Sequence, residues 1–210
     1  MNEREKTAPD SLGEQLRGVK RDLRAMMNGV ASASMREKGL AYKVIFGVEL
    51  PRLQSLADGL PHTAALARAL WTENIRECRL LAPMVQPVET FLPADAEEWV
   101  ATMHYPEEAE VCSMQLFARL PYASDLAFRW MARDEEMVRL CGFTLVARLL
   151  TLGARPGERD GAELLDQAEA ALRGDTPAVR RAAGKALVKY MNLGPDEEAR
   201  GEALLASLEG

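Results

Sequence analysis

Arginine directly follows a branched apolar residue at three places where a helical pattern begins. The pairs are Ile75–Arg76, Val138–Arg139 and Val179–Arg180. The apolar member is expected to enter the core, while the arginine lays its stem over the neighbouring helix and extends its guanidinium outward. Such a guanidinium can bind a phosphate, pair with a carboxylate or remain solvated. Val111, followed by Cys112, is expected at the same place in a further helix.

A larger set of basic side chains would share one face if these helices are equivalent repeat elements. The candidate phosphate-binding residues are Arg36, Lys38, Lys43, Arg76, Arg79, Arg139, Arg180, Arg181 and Lys185. The structural alternative is a scatter of solvated or ion-paired side chains, because carboxylates such as Glu77 and Glu135 lie nearby. A net charge of −6 argues against a surface that binds nucleic acid throughout, but it allows a basic stripe.

The pattern of cysteines and histidines indicates neither a metal site nor a cofactor. Cys78, Cys112 and Cys141 lie inside apolar helical patterns and lack the paired spacing of a disulfide framework. The chain has only two histidines, and neither has zinc-ligand spacing to a cysteine. We therefore expect three buried thiols in a reducing compartment.

Composition indicates a globular protein. Of 210 residues, 48% are apolar, and no apolar run approaches the roughly 20 residues of a membrane span. The charged N-terminus does not resemble a secretory signal, so a cytoplasmic protein without a membrane partner is expected. Residues 1–10 are predicted to be disordered and residues 11–210 to form a single repeat domain. A monomer is expected, because a solenoid buries its core along the chain.

The residues that typically start and end helices, together with the apolar periodicity, predict about eleven or twelve short helices and no strand. Ser11 and Glu14 form a capping-box pattern at the start of the first one. Proline stands at the first position of several other predicted helices, where its missing amide proton costs no helical hydrogen bond. Two longer connections are predicted, at "NGVASAS" (28–34) and "GARPGERDG" (153–161).

The apolar–Arg pairs recur at irregular intervals that overlap the roughly 40–47 residues of HEAT and armadillo helix pairs. Small residues at Cys141–Gly142 and at Ala182–Ala183–Gly184 would allow each pair to pack closely on the next. The predicted fold class is all-α, an α-α superhelix (a right-handed solenoid) of HEAT/armadillo-like helix pairs.

Three stretches go beyond a generic repeat. "LARALWTENIRECRLLAPMV", "YKVIFGVELPRLQSLA" and "AVRRAAGKALVKY" are each similar to a segment of one known family. Over about residues 30 to 191 the chain resembles the DNA alkylation repair family, the AlkD-type HEAT-like repeat DNA glycosylases.

The resemblance implies a concave, basic groove for double-stranded DNA. Family enzymes excise cationic N-alkylated purines such as 3-alkyladenine and 7-alkylguanine, with groove aromatics and one Asp stabilising the positive charge of the transition state. The resemblance places Trp99 at the position of an aromatic residue that lines the family's groove. It places Arg139 near the position of an arginine that contacts the DNA backbone. These two are therefore the candidate catalytic residues. Met103 stands where the family has its Asp, and Lys185 where it has a second Trp.

Two classes of function follow. One is a DNA-binding member of the family, either a divergent glycosylase or a non-catalytic binder of duplexes or lesions. The other is a protein- or peptide-binding HEAT-like scaffold without catalysis. The recurrent arginines favour the first class, and the net negative charge with the missing Asp favours the second.

Overall fold

A computed structural model describes residues 11–209, so the predicted disordered segment 1–10 lies outside the described residues. Within that range the chain forms twelve α-helices, two 3₁₀ turns and no strand, apart from one isolated parallel bridge between Val44 and Ile75. The helices are α1 (Leu12–Ala25), α2 (Gly29–Glu37), α3 (Leu50–Asp58), α4 (Ala64–Trp71), α5 (Arg76–Val85), α6 (Pro93–Ala101), α7 (Pro106–Gln115), α8 (Ala123–Met131), α9 (Glu136–Thr151), α10 (Glu158–Arg173), α11 (Pro177–Met191) and α12 (Pro195–Glu209). The all-α prediction is confirmed. Across the described residues, no helix is both long enough and apolar enough to cross a membrane.

The described residues pack as two compact units that divide between Thr90 and Phe91. Helices α1 to α5 belong to the first unit and α6 to α12 to the second. Each unit buries its own apolar side chains, such as Leu66 and Leu70 in the first and Phe117 and Leu126 in the second. The single domain expected for residues 11–210 stays a prediction.

The first unit begins with the capping box predicted at Ser11. The Glu14 amide donates to Ser11 Oγ, and the Ser11 amide donates to the Glu14 carboxylate. The prediction of a connection at residues 28–34 is wrong, because this stretch forms the start of α2. Asn28 caps the helix by accepting a hydrogen bond from the Ala31 amide at 3.1 Å, which turns a loop-like sequence into a helix start.

The second unit contains the helix pairs α8–α9 and α10–α11, and α9 packs against both α7 and α11. Close packing of α9 on α8 requires glycine at position 142. A Cβ atom there would lie 2.4 Å from the Met131 nitrogen and 2.8 Å from the Trp130 carbonyl carbon. The small residues at Cys141–Gly142 were predicted to contact the next helix pair, whereas the close contact of Gly142 is with α8 of its own pair. The connection before α10 spans only residues 152–157, because the helix already begins at Glu158.

The four apolar positions of the repeated pattern are not equivalent. Val138 and Val179 are each the third residue of their helices, α9 and α11. Ile75 instead caps the N-terminus of α5, and Val111 is the sixth residue of α7. The expected equivalence of Val111 is wrong, because Val111 is the sixth residue of α7, whereas Val138 and Val179 are third in theirs.

Candidate nucleic-acid surface

Basic side chains collect along the line where α9 and α11 meet. A cavity of about 490 Å³ lies between these helices and is lined by Arg148 of α9 and by Lys185, Val188 and Lys189 of α11. Arg181, one turn before Lys185, lines a neighbouring cavity. We call the surface formed by Thr144, Ala147, Arg148, Arg181, Lys185, Val188 and Lys189 the α9/α11 face.

The cations of the α9/α11 face have few protein partners. Lys185 Nζ lies 3.3 Å from Glu110 Oε1, and their side chains are 70% and 56% exposed. An ion pair this exposed contributes little, so a phosphate can compete for the lysine. Among the described residues, Arg148, Arg181 and Lys189 make no ion pair, and Arg148 Nε is buried without a hydrogen-bond partner. The face therefore offers four cations to an anionic ligand.

Arg139 and Arg180, two of the predicted phosphate ligands, lie off this face. An α-helix turns about 100° per residue, so Arg139, nine residues before Arg148, projects from the opposite side of α9. By the same geometry, Arg180 lies about 140° around α11 from Lys185. Arg139 is half-buried, and its Nε has no hydrogen-bond partner among the described residues.

Arg76 and Arg79, also predicted phosphate ligands, are buried in the first unit, with 8% and 6% of their surfaces exposed. Arg76 Nη1 donates to the Val48 carbonyl and to Glu77 Oε1, each at 3.2 Å. Arg79 Nη1 donates to the Trp71 carbonyl at 2.9 Å, and its guanidinium carbon lies 4.1 Å from the Trp71 ring centre. Both guanidinium groups are buried and bonded to other parts of the first unit, so they are not placed to contact a phosphate.

Glu77 is an interaction centre that the sequence did not single out. Its carboxylate is fully buried and accepts hydrogen bonds from the backbone amides of Phe46, Gly47 and Val48 at 3.0, 2.9 and 3.3 Å. Arg76 neutralises the same carboxylate. Gly47 has φ of +77°, and a Cβ there would lie 2.3 Å from the Asn28 carbonyl oxygen. The sequence indicated Glu77 only as a possible ion-pair partner of a nearby arginine, which it is for Arg76. Nothing in the sequence indicated its three backbone amide contacts.

The predicted basic residues Arg36, Lys38 and Lys43 form a second cluster, at the end of α2 and just beyond it. All three are exposed. Arg36 Nη1 donates to the Tyr42 carbonyl at 3.2 Å, which holds its stem against the chain. Tyr42 itself is 2% exposed, so its ring belongs to the core of the first unit.

Trp99, the other candidate catalytic residue, lies in the core of the second unit. Only 3% of its surface is exposed, and its ring packs edge-on against Phe91 with centroids 4.9 Å apart. Met103, which stands where the resemblance expects Asp, is 5% exposed. The nearest following carboxylate that is fully buried, Glu108, accepts a hydrogen bond from the His104 amide at 2.7 Å and so stabilises the start of α7.

The cysteines are buried and form no disulfide, as expected. Burial raises the pKa of the Cys78 and Cys141 thiols to about 12, so neither is a nucleophile near neutral pH. The described residues contain no group of His, Cys, Asp and Glu side chains that could hold a metal ion.

Comparison with known proteins gives a family and a fold. The family model described as DNA alkylation repair enzyme matches residues 19–200. A solved structure from work on a family of proteins related to the HEAT-like repeat DNA glycosylases, with affinity for branched DNA structures, matches with a TM-score of 0.80 and 16% identity. The match covers 90% of this chain and 80% of that chain, and at this identity it shows a shared fold. Comparison with curated proteins gives no significant match. The chain belongs to the DNA alkylation repair enzyme family and has the all-α, HEAT-like repeat fold that the sequence predicted.

Proposed function

We propose that this protein binds double-stranded DNA through the α9/α11 face. The observation that carries the proposal is that Arg148, Lys185 and Lys189 line one cavity between adjoining helices and Arg181 lines the neighbouring one. In the described structure these cations make a single, exposed ion pair. Phosphates are recognised mainly by such clusters, because neutralising them releases condensed counterions. Membership of a DNA repair family supports the same ligand.

The second cluster, Arg36, Lys38 and Lys43, is proposed as a separate phosphate-binding surface of the first unit. The two lysines make no ion pair with a described residue, and Arg36 keeps donors beyond the one bonded to Tyr42. Arg76, Arg79, Arg139 and Arg180 are left out of the proposed surface because of their burial or direction.

We propose further that binding, and not base excision by the family's chemistry, is the activity. Two observations support this. Trp99 is packed against Phe91 inside the core, and the neighbouring Met103 carries no charge to stabilise a cationic sugar or base. The structurally similar protein has affinity for branched DNA structures. We therefore extend the proposed ligands to DNA that contains branches or unpaired nucleotides.

Fluorescence anisotropy with a labelled continuous duplex at low salt tests the binding proposal. The variant Arg181→Gln/Lys189→Gln removes two exposed cations of the α9/α11 face, and Arg159→Gln/Arg200→Gln removes two exposed cations elsewhere in the same unit. We expect the first variant to bind at least about tenfold more weakly, since charged hydrogen bonds contribute roughly 1.5–3 kcal/mol each. The second should bind like the wild type. Equal affinity of the two variants would reject the proposed surface.

Incubation with a duplex that carries N-methylated purines tests the second proposal. We expect tight binding and no free methylated base above the level of spontaneous loss. Release of free base that depends on enzyme concentration would show that the chain is a glycosylase with a different set of catalytic residues.

A further inference from the structure

A pocket adjoins the α9/α11 face and shares Arg181 and Lys185 with it, but its apolar walls and Glu110 have no part in the proposed phosphate contacts. It has a volume of about 140 Å³ and lies where α7, α9 and α11 meet. Leu140 and Ala147 of α9 and Ala182 of α11 give it apolar walls, and Glu110, Arg181 and Lys185 also line it. We call it the α7/α9/α11 pocket.

The volume of this pocket suits a single six-membered ring. An apolar cavity of about 150 Å³ is known to hold benzene, so a pyrimidine ring fits where a bicyclic purine is too large to enter fully. Apolar walls suit the faces of such a ring. Any base that enters must be unpaired, because a base within a duplex is stacked and hydrogen-bonded.

The neutral and anionic polar groups of the pocket are acceptors. Glu110 presents a carboxylate that only accepts hydrogen bonds when ionised. The Thr144 hydroxyl donates its proton to the Leu140 carbonyl at 2.8 Å, so its oxygen is left to accept. Among pyrimidines, cytosine carries an exocyclic amine that donates, and carboxylates are typical partners of that amine. Thymine would place a carbonyl oxygen against the carboxylate and be repelled.

The two cations that line the pocket can bind the phosphates next to such a base. Arg181 and Lys185 belong both to the pocket lining and to the α9/α11 face. Glu110 already balances Lys185 at 3.3 Å, so an incoming amine would share the carboxylate with the lysine.

We propose that the α7/α9/α11 pocket binds one unpaired pyrimidine base of DNA held on the α9/α11 face, and prefers cytosine to thymine. Glu110 is the residue that determines this preference. The inference rests on the proposed DNA binding and assigns a base-reading site to it.

The test compares four labelled DNAs in anisotropy measurements with the wild-type protein. One is a continuous duplex, and the others carry a single unpaired cytosine, thymine or adenine. We expect the unpaired cytosine to tighten binding about tenfold over the continuous duplex, the gain of one charged hydrogen bond. Thymine and adenine should gain clearly less. Equal affinity for all four DNAs would overturn the pocket, and equal gains from cytosine and thymine would overturn the role of Glu110.

Two variants make the assignment specific. Glu110→Ala should lose the cytosine preference, measured as the ratio of this variant's affinities for the DNAs with unpaired cytosine and unpaired thymine. Glu202→Ala, the control, removes an exposed carboxylate from α12 and should keep the preference. Ala147→Leu should fill the pocket and abolish the gain from any unpaired base. Retention of the cytosine preference by Glu110→Ala would refute the proposal. Failure of every DNA to bind would instead refute the proposed function as a whole.

Discussion

The buried carboxylate of Glu77 provides the sharpest test of the energetics of the first unit. In Glu77→Ala, the amides of Phe46, Gly47 and Val48 lose their acceptor, and Arg76 loses the carboxylate that neutralises it. Breaking a buried ion pair by removing one partner costs about 3–5 kcal/mol. An unsatisfied buried amide adds roughly 1–3 kcal/mol, partly offset if water enters the gap. We expect the free energy of unfolding to fall by about 4–6 kcal/mol, a large share of a typical domain's 5–15 kcal/mol.

Urea unfolding followed by circular dichroism measures this loss. Glu73→Ala is a matched control in the same unit, because Glu73 makes an ion pair with Lys20 at 2.6 Å whose side chains are 25% and 35% exposed. Partly exposed pairs contribute about 0–1 kcal/mol, so the control should unfold close to the wild type. Glu77→Gln keeps one carbonyl acceptor and should lie between the two. Equal midpoints for Glu77→Ala and Glu73→Ala would refute the view that this carboxylate holds residues 46–48 in place.

Four further outcomes are expected. Gly142→Ala should lower the melting temperature, at a cost of about 1–3 kcal/mol or more for overpacking, because its Cβ would lie 2.4 Å from the Met131 nitrogen. Gly184→Ala, whose nearest neighbour is the Leu172 Cδ2 at 4.0 Å, should instead stabilise α11 by roughly 0.5–1 kcal/mol. In the folded protein at pH 8, Cys78 and Cys141 should resist alkylation by iodoacetamide and react only after denaturation, as counted by mass spectrometry, and rapid labelling would contradict the raised pKa values. Since the folded pKa of both thiols is about 12 and the unfolded pKa is about 8.5–9, their contribution to stability is complete below about pH 8.5 and is lost as pH rises towards 12. A double Cys→Ala variant should therefore lose less stability than the wild type over that range in pH-dependent urea unfolding.

Helical periodicity and capping residues made the fold class predictable. Ser11 with Glu14 marked a helix start correctly, and glycine at 142 marked a close helix contact. The wrong prediction at residues 28–34 has a local cause, because Asn28 is typical of turns and also caps helices. Val111 shows that a similar local sequence need not lie at the same position within its helix.

The candidate site was less predictable, because it depends on which side of a helix each cation faces. Arg76 and Arg79 have the sequence pattern of exposed cations. They are buried because they bond to the carbonyls of Val48 and Trp71, which lie in other segments, and these contacts cannot be predicted from spacing along the chain. Arg148 was missed because no apolar–Arg pattern at a helix start marks it. Its neighbours on the face, Lys185 and Lys189, carry a readable signal in their spacing of four residues along one helix.

The burial of Trp99 could not be predicted from the chain either. An aromatic residue on an apolar helical face can line a groove or pack in a core. For Trp99 the structure shows the core, because Phe91 packs edge-on against its ring. The resemblance to the family predicted the fold correctly. In contrast, Trp99 and Met103, which stand at the positions of two catalytic groups of the family, are buried in this protein.

The central claim is that the α9/α11 face holds DNA by its phosphates, and the salt dependence of duplex binding tests it most directly. Log affinity should fall linearly with log salt, and each phosphate that the protein neutralises contributes about −0.9 to the slope. We expect the slope of Arg181→Gln/Lys189→Gln to be less negative than that of the wild type by about 1.8, and that of Arg159→Gln/Arg200→Gln to be unchanged. Identical slopes for all three proteins, or wild-type binding that is indifferent to salt, would contradict the account.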